Sequence, residues 1–275
     1  TKKEQKEHTR YVANTLHFEY MLYQGMLTNF EHCAQFPRAH GAYGEWNGIR
    51  YFVMERMDGD LMDLARASPA PSVAEVADYG RQVLEGMEAL HKRFYVFVDV
   101  KPDNFMYKVQ KNGQKKIFFI DFGLAQAFMD MRTQAHRVEA DGPLVGTPTY
   151  VSRAVHNGSI CARRDDVEAV CWVLLSMLGG GTLPWSSAKS EADCCAQKNA
   201  CDVVALSTER GAPELGQIVE ATRKLAFAEK PKYLEYIALL TKMAKGKAAP
   251  APGGKKKAAT NEGAKTKTTR AAASK

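Results

Sequence analysis

Four polar side chains fall inside two short and otherwise apolar stretches of the sequence. The stretch FVDVKPDNFMY contains Asp99, Lys101 and Asn104, and the stretch FIDFGLA contains Asp121. Phosphoryl transfer to a hydroxyl uses a carboxylate that orients the nucleophile, a cation near the transferring group, and oxygen ligands for Mg²⁺. Asp99 can be the first of these and Lys101 the second. Asn104 and Asp121 can be the metal ligands.

Helical periodicity indicates the elements that must position these groups. Apolar residues spaced three and four apart predict a helix over residues 12–27, around Glu19. Ser72, followed three residues later by Glu75, predicts the start of a second helix. The buried stripe of that helix is expected to be Val76, Tyr79, Val83, Leu84, Met87 and Leu90.

Later in the chain, the sequence from Asp166 onward is apolar almost all round, which predicts a core helix. The segments ELGQIVEATRKLAF and KYLEYIALLTKM predict two further amphipathic helices.

Short runs of β-forming residues predict strands between the helices. GIRYFVMERM follows the turn-like stretch GAYGEWNG and predicts part of a hairpin. FYVFVDV and KKIFFIDF predict two more short strands, the second after a turn at KNGQ. The order is one helix, a small strand region and a mostly helical body, which predicts an α+β fold.

Composition sets the broad class of protein. A chain of 275 residues with 45% hydrophobic and 25% charged residues is typical of a globular protein. No run of eighteen apolar residues occurs, so no transmembrane helix is expected. The start, TKKEQKEHTR, is neither a signal peptide nor led by Met, which suggests a fragment or a processed chain.

The six cysteines form no CxxC pair. This favours free thiols over a structural zinc site, which takes two closely spaced ligand pairs. Free thiols indicate a reducing compartment, so we expect an intracellular protein, cytoplasmic or nuclear.

Positive charge is concentrated at one end of the chain. Residues 242–275 carry a formal charge of +9, so residues 1–241 carry −2 of the chain's total of +7. After Met243 the composition narrows to Ala, Lys, Gly, Pro and Thr, which predicts a disordered low-complexity tail over residues 244–275. Such a tail is either a solvated linker or a site of weak nucleic-acid or chromatin contact, and the sequence leaves both open.

The pair VDVKPDN and DFG resembles the catalytic loop and the metal-binding turn of eukaryotic-type protein kinases. Four further stretches, GTPTYVSRAVHNG, RRDDVEAV, GTLPW and FAEKPKYLEYIALL, are similar to casein kinase 1 and vaccinia-related kinases, in the same order and at fitting distances. The resemblance covers roughly residues 12–243. It implies a two-lobed kinase-like fold with an ATP cleft between the lobes.

The resemblance also implies roles for the residues that could do chemistry. Asp99 would be the catalytic base, Lys101 the phosphate contact, and Asn104 with Asp121 the Mg²⁺ ligands. Thr147 would bond to Asp99 and Lys101, a feature that favours Ser/Thr over Tyr substrates.

On the nucleotide side, the resemblance implies contacts to ATP and to the elements that surround it. Glu19 would be the helix acid that pairs with an ATP-binding lysine. Asp166 would brace the catalytic loop from the core helix. The adenine and ribose positions would be Met54 as gatekeeper, Glu55 and Met57 in the hinge, and Asp60 and Asp63 near the ribose.

Several of these residues also have a purely structural interpretation. Asp121 is a good turn former, Asp166 could be a helix N-cap, and Met54 could be plain core. Glu19 taken alone is more simply a solvated helix acid, and the two interpretations of Asp60 and Asp63 are evenly balanced. Only the joint occurrence of the four motif residues favours function clearly. His91 and His156 are interpreted as ordinary residues.

The sequence departs from the family pattern at several places. Phe97 and Val98 replace the usual His-Arg, and we expect Phe97 to pack behind Phe122, as that His does. Without an Arg at position 98, activation by a phosphate on the following loop is doubtful. Cys171 stands where a Gly is expected, and an Ala-Pro-Glu motif is absent.

The largest departure lies before the predicted Glu19 helix. No Gly-rich loop and no Val-Ala-x-Lys strand precede it, and Lys2, Lys3 and Lys6 lie in a polar context. The expected division is therefore a partial small lobe at 1–57, a large lobe at 58–243 and the tail. The 275 residues alone are expected to be inactive or nearly so.

The function expected from the resemblance is transfer of the ATP γ-phosphate to protein Ser/Thr hydroxyls, with ATP and Mg²⁺ as cofactors and protein substrates as partners. The alternative is a pseudokinase or scaffold that uses the same fold to bind partners. A third interpretation makes the tail the functional part and the folded domain its platform.

Overall fold

The structure is a computed structural model that describes residues 15–26, 34–130 and 132–246. Its first helix, α1, covers residues 15–21 and continues as a π-helical turn over Leu22–Met26. The other helices are α2 (Leu61–Ala65), α3 (Val73–His91), α4 (Arg153–His156), α5 (Arg163–Leu178), α6 (Glu191–Ala200), α7 (Val203–Glu209), α8 (Pro213–Arg223) and α9 (Tyr233–Lys245). The strands are β1 (Ala39–Trp46), β2 (Ile49–Met54), β3 (Gly59–Asp60), β4 (Tyr95–Val96), β5 (Phe105–Val109), β6 (Lys115–Phe119) and β7 (Gln126–Ala127).

The strands form three small antiparallel sheets rather than one large sheet. β1 pairs with β2, β5 lies between β3 and β6, and β4 pairs with β7. Helices α3, α5, α8 and α9 pack together into the main body. The α+β architecture expected from the sequence is therefore confirmed, with the catalytic-loop stretch between β4 and β5.

Helix α3 begins as its sequence predicts. The Ser72 side chain accepts from the main-chain N–H of Glu75, and the Glu75 carboxylate accepts from that of Ser72, which together make a capping box. All six residues of the predicted stripe are buried. The helix predicted from Asp166 begins three residues earlier, at Arg163, and every residue from Asp165 to Met177 in it is buried.

The hairpin differs from its prediction. GAYGEWNG was expected to be turn-like, but its first six residues belong to β1, and only Asn47 and Gly48 form the turn, with φ of 50° and 77°. The glycines that suggested a turn have other uses. Gly41 lies at a shift in register between His40 and Gly44, and a Cβ on Gly44 would come 2.9 Å from the Tyr51 ring.

The stretch FYVFVDV was predicted as a strand over its whole length, and this is wrong beyond Val96. Only Tyr95 and Val96 pair with another strand, β7. Val98 has φ of +72°, a conformation that ends a strand and that a β-branched side chain rarely adopts. The short helices α2, α4, α6 and α7 were not predicted at all.

Candidate active site

Asp99 lies at the centre of a compact set of hydrogen bonds. Its side chain is buried, and its Oδ2 lies 2.6 Å from Nζ of Lys101. Its Oδ1 accepts a 2.7 Å hydrogen bond from Oγ1 of Thr147. The Asn104 amide Nδ2 donates to the Asp99 main-chain oxygen at 2.9 Å and lies 3.3 Å from Oδ2. The structure therefore brings together three of the four motif residues and adds Thr147 from 48 positions further along the chain.

Lys101 is held in its charged form by the acids around it. Burial disfavours the ammonium, but the hydrogen bond and attraction from Asp99 outweigh burial, with Asp121 and Asp103 adding to them, and the pKa of Lys101 is raised. A cation fixed beside Asp99 could stabilise the negative charge that develops when a phosphoryl group is transferred to a hydroxyl.

Glycine at position 146 allows the Thr147 segment to approach the loop. Gly146 has φ of +104°, and a Cβ there would come 2.9 Å from the main-chain oxygen of Val98. Any other residue would therefore push the segment away from Asp99.

Asp166 holds the catalytic loop from the first turn of α5. Its Oδ2 accepts from the main-chain N–H of Phe97 at 2.7 Å, and its Oδ1 from that of Val98 at 2.9 Å. The N-cap position of α5 belongs to Ala162, so Asp166 is not the cap. The carboxylate is 1% exposed, and its bonds are made to the loop that carries Asp99.

Two further residues join this network, and the sequence analysis missed both. His91, interpreted above as ordinary, is buried, and its Nε2 lies 2.9 Å from Oδ2 of Asp166. Its Nδ1 contacts the Tyr233 hydroxyl of α9. Because a carboxylate only accepts, Nε2–H donates to Asp166 and the Tyr233 hydroxyl donates to Nδ1. Burial lowers the pKa of His91, which keeps the ring neutral in this pattern.

The Asp-Phe-Gly turn is packed by aromatic rings. Phe122 is fully buried, with the rings of Tyr23, Phe36 and Phe97 at 5.3, 5.7 and 5.3 Å. The expected packing of Phe97 behind Phe122 is thus confirmed. Asp121, with φ of +62°, carries its carboxylate on the exposed side of the turn, where Oδ1 accepts from the Gly123 N–H.

Glu19 of α1 faces the same turn. Its Oε1 accepts from the main-chain N–H of Phe122 at 3.2 Å. Burial, reinforced by repulsion from Asp121, raises the pKa of Glu19 from 4.5 to about 7. No Lys or Arg among the described residues lies within ion-pair distance of Glu19. Lys2, Lys3 and Lys6 lie outside the described residues.

The side-chain oxygens of Asn104, Asp121 and Glu19 suit a divalent cation that is also bound to phosphate groups. The Asn104 side chain donates both of its hydrogen bonds through Nδ2, so the amide oxygen receives no donor from the described part of the chain. The carboxylates of Asp121 and Glu19 repel each other, and a cation between or beside them would relieve that repulsion. No group of three or more His, Cys, Asp or Glu side chains in the described ranges could hold a metal by itself.

The expected hinge follows β2 directly. Met54 ends β2 and packs partly against the main core, and Met57 is buried. The Glu55 carboxylate forms an ion pair with Lys108. Asp60 and Asp63, expected near a ribose, make the capping box of α2, in which Asp60 Oδ1 accepts from the Asp63 N–H and Asp63 Oδ2 from the Asp60 N–H. Each carboxylate keeps one oxygen outside the cap.

The segment after Thr147 is attached by a hydrogen bond to Glu168 of α5, and Glu168 is itself held in an ion pair with Arg223 of α8. Glu168 accepts from Arg223 through both carboxylate oxygens, at 2.8 and 3.2 Å, and from the main-chain N–H of Arg153 in α4.

Cys171, which stands where a glycine was expected, is buried in α5. Cys161, Cys171, Cys194, Cys195 and Cys201 are free thiols, and Cys33 lies outside the described residues.

Three features define the class of protein. The buried Asp99 bonds to Lys101 and Thr147, and Asp166 holds the loop that carries Asp99. The third feature is the Asp-Phe-Gly turn, which donates a hydrogen bond to Glu19 of α1. The family described as "Protein kinase domain" matches residues 25–244, and the chain belongs to that family.

Within the family, the chain is casein kinase 1-like. It is 37% identical over 147 residues to a probable casein kinase I homolog of Encephalitozoon cuniculi. The match covers 53% of this chain and 46% of that relative, so the chain spans about half the length of the curated relative it matches.

No helix among the described residues is long and apolar enough to cross a membrane. The basic tail beyond residue 246 lies outside the described residues, and α9 runs two residues past the expected boundary at Met243.

Proposed function

We propose that the protein transfers the γ-phosphate of ATP to Ser and Thr hydroxyls of other proteins. The observation that carries the proposal is the arrangement around Asp99, with Lys101 Nζ at 2.6 Å on one carboxylate oxygen and Thr147 Oγ1 at 2.7 Å on the other. Such a group accepts or orients a hydroxyl proton while a neighbouring cation stabilises charge on the transferring phosphoryl.

Each residue has a distinct part in this proposal. Asp99 orients the acceptor hydroxyl, and Thr147 fixes the direction of its carboxylate. Lys101 contacts the transferring phosphoryl group. Asn104 and Asp121 hold Mg²⁺, which neutralises charge on the phosphates of ATP when bound. Met54, Glu55 and Met57 border adenine, with Asp60 and Asp63 towards the ribose.

Specificity for Ser and Thr is supported by two features. Thr147 is the residue that the family resemblance associates with Ser/Thr acceptors, and it bonds to Asp99. The relative of Encephalitozoon cuniculi is described as a probable casein kinase I homolog. An intracellular location, cytoplasmic or nuclear, accords with this proposal.

The rival proposal is a kinase-shaped binding module, and one observation favours it. Glu19 has no cationic partner in the described part of the chain, although burial and Asp121 make its charge unfavourable. An acid in this setting needs either a lysine from another strand or protonation. The three side chains bonded to Asp99, those of Lys101, Asn104 and Thr147, favour the enzyme, because partner binding gives no reason to keep them together.

The test is phosphate transfer from γ-labelled ATP with Mg²⁺ to a mixed set of protein acceptors, followed by identification of the labelled amino acid. We expect phosphoserine and phosphothreonine from the longest natural form of the protein. Label on tyrosine alone would contradict the proposed specificity, and absence of label with retained partner binding would favour the rival.

A further inference from the structure

Helix α6, together with Trp185 before it, supports the segment 147–151. Three side chains approach the main-chain oxygens of Pro148, Thr149 and Val151. Trp185 Nε1 donates to Thr149 at 2.8 Å, and Cys194 Sγ approaches the oxygen of Pro148 at 3.6 Å. Lys198 Nζ donates to the oxygens of Pro148 and Val151, both at 2.7 Å. The same segment bonds to Asp99 through Thr147, so its two faces meet different parts of the molecule.

Lys198 is unusual for a lysine because it is only 1% exposed. Its third partner is Nδ1 of His156 at 3.2 Å, and its ammonium lies 5.5 Å from the centroid of the Trp185 ring. No carboxylate of the described residues lies within ion-pair distance of it. All three N–H groups of the Lys198 ammonium therefore donate to neutral acceptors, two of which are main-chain oxygens of the segment 147–151.

Burying this charge is costly, so filling space in the core is a poor explanation for a lysine at this position. Burial is the main cause that lowers the pKa of Lys198 from 10.5 to about 8, so the ammonium still predominates at pH 7. An apolar side chain of similar length would avoid the desolvation cost. What it could not do is draw the oxygens of Pro148 and Val151 towards one point.

We propose that Lys198 is a positioning residue for the acceptor side of the site, which fixes the segment 147–151 so that Thr147 meets Asp99 and the acceptor chain meets a set surface. This inference rests on the proposed kinase function. The acceptor hydroxyl must reach Asp99, and Thr147 already lies against that carboxylate, so an acceptor chain must pass the segment that Lys198 holds.

The proposed role of Lys198 concerns the protein acceptor and does not concern the nucleotide. None of the contacts made by Lys198 involves a residue proposed to contact ATP or Mg²⁺. Loosening the segment should therefore lower kcat/KM for the protein acceptor and leave KM for ATP unchanged. Misplacement by about 1 Å can cost about 100-fold, so a loss of about 10- to 100-fold is expected.

The experiment compares Lys198→Met with Lys189→Met in the longest natural form of the protein. Lys189 is exposed and lies just before α6, so it controls for the loss of a lysine in this region. Steady-state kinetics with varied acceptor and varied ATP are combined with hydrogen exchange of residues 147–151. We expect the acceptor kcat/KM to fall and exchange to rise in Lys198→Met only.

Trp185→Phe is the second variant if Lys198→Met does not fold. It removes the donor to Thr149 and leaves a smaller aromatic ring at this buried position, so a loss in the same direction is expected. Kinetics for Lys198→Met equal to those for Lys189→Met, or a rise in KM for ATP alone, would overturn the inference and leave the kinase function standing. If the unaltered protein transfers no phosphate, the proposed function fails and the inference fails with it.

Discussion

The carboxylate of Asp166 accepts the main-chain N–H of Val98 at 2.9 Å, and Val98 is held there at φ of +72°. A β-branched residue is strained in that conformation, by about 1–3 kcal/mol. The bond to Asp166 compensates for that strain and turns the chain sharply before Asp99. The geometry of the proposed base therefore depends on a residue 67 positions away in the sequence.

Replacement of Asp166 by Asn should disturb both stability and transfer. The Asn amide nitrogen is a donor, so one of the two loop N–H groups loses its acceptor, at a cost of about 1–3 kcal/mol. Urea unfolding measures the stability, and phosphate incorporation should fall at least about 10-fold. Asp141→Asn, at an exposed position, is the control. Equal stability and equal activity of the two variants would contradict the account.

The network behind Asp166 shows where sequence analysis succeeds and where it stops. A local pattern predicted Asp166, Phe97 and the start of α3, since each depends on neighbours within a few residues or on a motif. The roles of His91 and Tyr233 depend on α3 and α9 packing side by side, which no spacing within either helix reveals. The ion pair between Glu168 and Arg223 likewise depends on the packing of α5 against α8, which neither helix reveals by itself. The glycines in β1 led to a wrong prediction of a turn over GAYGEWNG, because glycine is favoured both in turns and in strand bulges.

Glu19→Gln should change the pH dependence of stability. The folded-state pKa of Glu19 is raised to about 7 from 4.5, first by burial and then by Asp121. A raised carboxyl pKa contributes stability that is present at low pH and is lost as pH rises through about 7. The Gln variant lacks this loss and keeps an oxygen for the Phe122 N–H. It should gain up to about 3 kcal/mol relative to the unaltered chain between pH 5 and pH 8.

Urea unfolding at both pH values checks this, with Glu209→Gln at an exposed position as the control. A stability difference between Glu19→Gln and the unaltered chain that stays constant from pH 5 to pH 8 would show that Glu19 titrates normally.

Arg223→Met should destabilise the fold strongly. The change leaves the Glu168 carboxylate, only 4% exposed, without its bidentate partner. Loss of one member of a buried pair costs about 3–5 kcal/mol, whereas replacing both members with apolar residues costs much less. Thermal or urea unfolding should therefore rank the double variant Glu168→Leu/Arg223→Met above the single one. The reverse order would contradict the view that an unpaired Glu168 carboxylate is the main cost of the single change.

Nucleotide binding should depend on Mg²⁺. With Asn104 and Asp121 as ligands, ATP at about 100 times its Kd should stabilise the protein by about 2.7 kcal/mol with Mg²⁺, and by clearly less with EDTA. Asp121→Asn should reduce the difference. Thermal shift of the longest natural form, with and without EDTA, measures it. A shift that ignores Mg²⁺ would support the binding-module alternative.

The lobe boundaries at 57/58 and 243/244 and the nucleic-acid contact of the tail stay predictions. Residues 247–275 lie outside the described part of the chain, so the lysines there have no structural interpretation.

The most direct test of the central claim is phosphate transfer by Asp99→Asn in the longest natural form of the protein. Asn keeps the size of Asp99 but cannot accept the acceptor proton, so kcat should fall about 100-fold or more, the scale of a general base. Binding of ATP, measured in the same preparation, should barely change, because Asp99 contacts Lys101, Asn104 and Thr147 rather than the hinge. Equal incorporation of phosphate by Asp99→Asn and the unaltered protein would contradict the account.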